Sequence, residues 1–191
     1  MKRIAFHLAP ALMLAYGVVR LIDGRDGQHG PGPAWTTGHV IFLVSLLLYG
    51  WVIAGLYARV RTGGPAHRVV AAIGAAVAAF GLVMFVRVAI IDIVIGLEAA
   101  DAAEKSALGA RYADVPAVLP QVVYEIGPVF FMAGLLALLV QYAITGPGRN
   151  ALAPVLVTLG FVAITVDLNY LPAGAALIWL ALALVTRERT T

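Results

Sequence analysis

Residues 38–58 contain no aspartate, glutamate, lysine or arginine. As a helix rising about 1.5 Å per residue, they would cover the roughly 30 Å hydrocarbon core of a bilayer. Predominantly apolar stretches with only one or two charges each recur along the chain, at residues 4–22, 69–95 and 117–144, and again over residues 151–185. The last is too long for one crossing and is interrupted by Asp167, Asn169 and Pro172. Proline disfavours helical geometry in the residue before it, which predicts a turn. This stretch therefore reads as a tight helical hairpin, residues 151–166 and 171–185. The expectation is an all-α, polytopic transmembrane bundle of six spans forming a single integral-membrane domain. Five spans, with one long kinked helix at the C-terminal end, are the alternative.

Composition agrees. Of 191 residues 62% are hydrophobic and 12% charged, against about 25% charged in an ordinary soluble domain. That is too little charge to coat a 20.0 kDa globule with a mean hydropathy of +0.94. The absence of cysteine excludes disulfides, thiolate metal sites and thiol nucleophiles. The net charge of +3 is spread without a basic run, so no nucleic-acid partner is expected.

Lysines and arginines predict orientation. With six spans, Lys2, Arg3, Arg59, Arg61, Arg68, Arg149, Arg187 and Arg189 share one side, and Arg20, Arg25, Lys105 and Arg111 the other. This bias places both termini in the cytoplasm, with the plasma membrane as the expected compartment. Asp23, Asp26, Glu98, Asp101, Glu104, Asp114 and Asp167 collect on the opposite, outer side. The first span follows Met1, Lys2 and Arg3 as a signal peptide would, but its length, His7, Pro10 and Arg20 favour a retained helix. Residues 98–116 are rich in helix formers and read as a solvated connector in preference to a surface helix. Trp35, Tyr112 and Tyr170 fall where interfacial aromatics sit.

Charge inside a bilayer is costly and faces a partner or water. Arg87 in the third span and Glu125 in the fourth are the clear cases, about 7 Å and 12 Å below the outer surface at ~1.5 Å per residue. Asp167 reaches nearly the same level. Arg87 and Asp92 are five residues apart and point in different directions, so Glu125 is the expected partner of Arg87 and Asp167 the second choice. Gln121, one turn from Glu125, would orient it. With His39, Asn169 and Tyr170, these residues make a candidate polar pocket in the outer half of the bilayer. The same charges would also serve as an interhelical ion pair that fixes packing.

His7, His29, His39 and His67 have no spacing that places two on one helix face, so no metal site and no haem or other cofactor is expected. His7 is expected to be hydrogen-bonded at the interface. Ala71, Gly74, Ala75, Ala78 and Ala79 form a small-residue face that permits close approach of another span, a second copy or a membrane partner. Pro128 and Pro154, with Gly127, are expected to mark kinks. Nucleophile-elbow, phosphate-loop, zinc-helix and dinucleotide motifs are missing. Neither lysine, Lys2 or Lys105, lies in a span, which excludes a retinal linkage. Three functions remain: a transporter or solute-binding membrane protein using the outer pocket; an intramembrane enzyme whose desolvated Glu125 or Asp167 protonates a lipid or isoprenoid; and a subunit or assembly factor of a membrane complex.

Overall fold

The computed structural model describes residues 2–114, 124–146 and 151–187. Among them every regular element is helical: α1 (Lys2–Asp23), α2 (Pro33–Val60), α3 (Pro65–Glu98), α4 (Ala102–Asp114), α5 (Gly127–Thr145), α6 (Leu152–Val166) and α7 (Leu171–Arg187). Single 3₁₀ turns occupy Gly24–Asp26 and Leu168–Tyr170. Two glycine–proline pairs act as helix starts. Pro33 and Pro65 open α2 and α3 behind Gly32 and Gly64, where the missing N–H costs nothing and the fixed φ suits the first turn. Pro128 likewise lies in the first turn of α5, and Pro154 is the third residue of α6. At Pro154 the expected mid-span kink is thus replaced by a helix beginning, whereas at Gly127 and Pro128 the helical Tyr124 and Glu125 are followed by a turn at Ile126 before α5 starts, so the helix is interrupted where the kink is expected.

The break after Val166 follows the expected hairpin. Asp167 is extended, and its carboxylate accepts a hydrogen bond from the Asn169 N–H at 2.8 Å, capping the 3₁₀ turn. Pro172 then falls in the first turn of α7. The two arms pack so tightly that a Cβ on Gly160 would lie 2.7 Å from the Gly174 carbonyl oxygen. The single long helix of the five-span alternative is thus excluded, although length still separates the helices. Five, namely α1, α2, α3, α5 and the segment ending in α7, are long and apolar enough to cross a membrane. The 15 residues of α6 reach only about 22 Å at ~1.5 Å per residue.

Neighbouring helices run antiparallel in the order α6–α7–α1–α2–α3–α5, with α5 returning to α6 and also touching α2. Several of these contacts are made through small residues or short polar bonds. Ser45 donates to the Ala9 carbonyl at 2.7 Å between α2 and α1. Between α3 and α5, a Cβ on Gly134 would lie 2.2 Å from the Ala78 nitrogen, while Gly74 faces Leu138 and Gly81 faces Phe131. This is close backbone approach through small residues, and the neighbour is α5 of the same chain. Ala71, Gly74 and Ala78 are buried, Ala75 half-buried and Ala79 exposed. The first and last helices meet where the Trp179 indole donates to His7 Nδ1 at 3.2 Å and Thr186 lies 3.3 Å from His7 Nε2. His7 is hydrogen-bonded as expected, and the ends of α1 and α7 share one end of the bundle.

The core runs along the bundle axis through Phe6, Leu46, Tyr49, Leu56, Phe131, Leu138 and Ile178. The outside is also apolar, with Ile4, Leu47, Val83, Val140, Leu159 and Val162 more than 40% exposed. Water would make such a surface expensive; hydrocarbon would not. The described part of the connector expected at residues 98–116 is instead largely helical, as α4. Asp101 accepts from the Glu104 N–H and Glu104 accepts from the Ala100 N–H, each at 2.8 Å, so two donors at the start of α4 are satisfied by side chains.

Candidate functional site

Tyr16, Trp35, His39 and Asp92 converge at the end of the bundle where α1 finishes and α2 starts. His39 is held from three sides. Its Nδ1 lies 2.8 Å from the Trp35 carbonyl, which only accepts, so Nδ1 carries the proton in the neutral ring. Nε2 then accepts from the Tyr16 hydroxyl at 3.3 Å. The same Nε2 is 3.5 Å from Asp92 Oδ2, an ion pair whenever the ring is doubly protonated. Trp35 closes the other side by donating its indole N–H to the Asp92 backbone carbonyl at 2.8 Å. Helix α2 supplies Trp35 and His39 one turn apart, and α3 approaches because Gly96 leaves room for the indole: a Cβ there would lie 2.4 Å from the Trp35 ring.

Above this cluster, Lys105 of α4 places its ammonium 3.9 Å from the Trp35 ring centroid and donates to the His29 carbonyl. Burial holds that ammonium below the ordinary lysine range, while Asp92 and Asp23 act in the opposite direction. His29 in turn sits 3.8 Å from Asp23. Trp35 therefore carries a cation on its face and a carbonyl at its edge, and is more than an interfacial anchor.

Below the cluster lies an interhelical cavity of about 150 Å³. Its wall is built by α1, α2, α3, α5, α6, the Leu168–Tyr170 turn and α7, and it is apolar except for Tyr16 and Asp92. Phe42, Phe85, Phe131 and Phe161 contribute rings, and Met13 and Met132 contribute sulfur. Toward the other end of the bundle, fully buried Tyr49 packs edge-on to Phe131 with centroids 5.3 Å apart. A second void of about 10 Å³ lies beside Arg20, Asp23 and His39, about the space of one water. The Arg20 Nε borders no hydrogen-bond acceptor.

The residues singled out by sequence are distributed differently. His39 lies at the heart of the cluster. Arg87 stacks 3.9 Å over the Tyr124 ring, and among the described residues no carboxylate oxygen comes within 4.0 Å of it. Glu125, Asp167, Asn169 and Tyr170 are exposed. Gln121 lies outside the described residues. The expected Arg87–Glu125 pair is thus absent; Tyr124, the adjacent residue, takes the arginine. In the sequence Asp92 is weighed only as a partner for Arg87, from which it points away. Helix α3 continues to Glu98, and the apolar Ile93, Val94, Ile95 and Leu97 beyond Asp92 were the available signal. Nothing in the local sequence linked Tyr16 to it. Among the described residues no group of three histidine or acidic side chains is arranged to hold a metal ion.

Compared with known proteins, the chain matches no family model, no curated protein and no solved structure, so its function is argued from this site.

Proposed function

We propose that this is a multi-pass plasma-membrane protein that takes a small, largely apolar solute into the cavity beneath Asp92, as a transporter or solute-binding protein. The cavity carries the reading: an apolar space between six helices with one carboxylate and one phenol in its wall has the composition of a small-molecule site, in which few polar groups orient a mostly apolar ligand. In this proposal α6 also crosses, giving six spans, and the termini are cytoplasmic, as the lysine and arginine bias predicts. The cavity then opens in the outer half of the bilayer. Packing of Tyr49 on Phe131 argues for a closed pocket or alternating access over an open channel.

The test is a cavity-filling variant. Detergent-purified wild type and Val88→Phe are compared for thermal stabilisation by a panel of small organic molecules of varied charge. Stabilisers effective on wild type and ineffective on Val88→Phe support the proposal; a panel that stabilises both equally overturns it. Uptake of an active compound into proteoliposomes then separates transport from binding.

A second reading, an intramembrane enzyme, is favoured by one observation: Asp92 borders an apolar cavity with His39 3.5 Å away, a placement suited to proton transfer. The acid would then be Asp92, since Glu125 and Asp167 are exposed. Conversion of an added isoprenoid or lipid that is abolished in Asp92→Asn would favour this reading over transport.

A further inference from the structure

We infer that the cavity selects a small organic cation, an amine or quaternary ammonium, with Asp92 as its counter-ion; this rests on the reading of the cavity as a solute site. Two independent features of the wall point the same way. The first is charge. Asp92 is the one ionisable carboxylate in the lining, and among the described residues no lysine or arginine nitrogen lies within 4.0 Å of it. Its near neighbour is His39 at 3.5 Å, which in the neutral ring presents a lone pair already engaged by Tyr16. Arg20 and Lys105 act on the carboxylate from farther away. A carboxylate at the wall of an apolar cavity attracts a positive ligand and repels an anion.

The second is aromatic. Successive rings are turned against each other: Phe42–Phe85 at 78°, Phe85–Phe131 at 65° and Phe131–Phe161 at 67°. All four phenylalanines line the cavity, so an enclosed ligand meets aromatic surface on several sides, and ring faces are the negative pole of the quadrupole. Rings around a desolvated ammonium are the usual means of holding one without a hydrogen bond. A neutral molecule of the same shape gains the burial and loses both attractions.

The experiment uses choline and its neutral isostere 3,3-dimethylbutan-1-ol, titrated calorimetrically into the full chain in detergent at neutral pH and low salt. The expected result is at least tenfold tighter binding of choline by wild type, lost in Asp92→Asn, with the alcohol unaffected by that change. Phe85→Leu should weaken choline several-fold and leave the alcohol nearly unchanged, and it decides the matter if Asp92→Asn does not fold. Equal binding of both probes, insensitive to Phe85→Leu, overturns the cation assignment and leaves the solute cavity standing. Binding of neither probe overturns the assignment and, with Val88→Phe indistinguishable from wild type across the panel, removes the cavity reading too.

Discussion

His39 and Asp92 meet across the α2–α3 contact with Nε2 3.5 Å from Oδ2, while Trp35, one turn before His39, donates to the Asp92 backbone carbonyl at 2.8 Å. One stretch of α2 thus holds α3 by the Asp92 backbone carbonyl and sets the His39 ring beside the Asp92 carboxylate. The grip fixes where the carboxylate stands relative to the cavity, because α3 cannot rotate without breaking the indole bond. A polar cluster of this kind does its work through geometry: in membranes such bonds contribute only around 1 kcal/mol each.

Removing either member should therefore cost little alone and couple measurably. His39→Ala and Asp92→Ala are each expected to lower unfolding free energy by about 1–2 kcal/mol, with a coupling of about 0.5–1.5 kcal/mol in the double-mutant cycle. Steric-trap or denaturant unfolding of the four proteins reads this directly. Additive losses would mean the two groups do not interact.

Close packing of α3 on α5 predicts a contrast among glycines. Gly134→Ala would force a Cβ to within 2.2 Å of the Ala78 nitrogen and is expected to destabilise by about 1–3 kcal/mol. Gly109 lies inside α4 with open space around it, so Gly109→Ala is expected to stabilise α4 by about 0.5–1 kcal/mol through helix propensity. Thermal melts of both variants in one detergent suffice. Similar losses in the two would contradict the packing register.

Arg87 is held by a ring in place of a carboxylate, which separates two substitutions that the ion-pair expectation would make equivalent. Tyr124→Leu should cost about 0.5–2 kcal/mol, whereas Glu125→Gln should stay within about 0.5 kcal/mol of wild type. If Glu125→Gln proves the more damaging in melting experiments, Arg87 has a carboxylate partner after all.

Lys105 gives the cluster a pH signature. Burial lowers its folded-state value from the ordinary 10.5, so between the two values the unfolded chain holds more protons than the folded one. Stability consequently rises with pH across that window, and the cost of burying the cation is full below it. Measured against Lys105→Met, the wild-type melting temperature should climb as the pH rises toward 10.5 and stay level at lower pH. A constant difference would mean that the ammonium is not desolvated beside Trp35.

How far the sequence reached depended on the range of the interaction. The hairpin at Asp167 was legible because its causes are local: an aspartate that caps its own turn and a proline two residues beyond Tyr170. Proline misleads at Pro154, since a residue that breaks a helix interior also begins one, and only the neighbouring backbone distinguishes these roles. Helix α4 was undervalued for want of weight on Asp101 and Glu104, whose three-residue spacing caps it. In the candidate site, His39 was found because a histidine in an apolar span stands out. Asp92 was missed because its contacts with Trp35 and His39 cross from α3 to α2, and neither is visible in the sequence around it.

Hydrophobic length and charge scarcity determined, without any structure, that this chain is helical and apolar enough to live in a membrane, because those requirements are set residue by residue by the cost of exposing backbone and side chains. Which charges work together was decided by tertiary structure alone. Tyr16, His39 and Asp92 come from three helices and meet only because α1, α2 and α3 pack in one register, through Gly38 against Tyr16 and Gly96 against Trp35. A rotation of α3 by 100° would be invisible in composition and periodicity, since that helix is apolar nearly all round. Side-chain shape at the contacts, which no single segment encodes, selects the rotation that turns Asp92 toward His39 and Arg87 toward Tyr124.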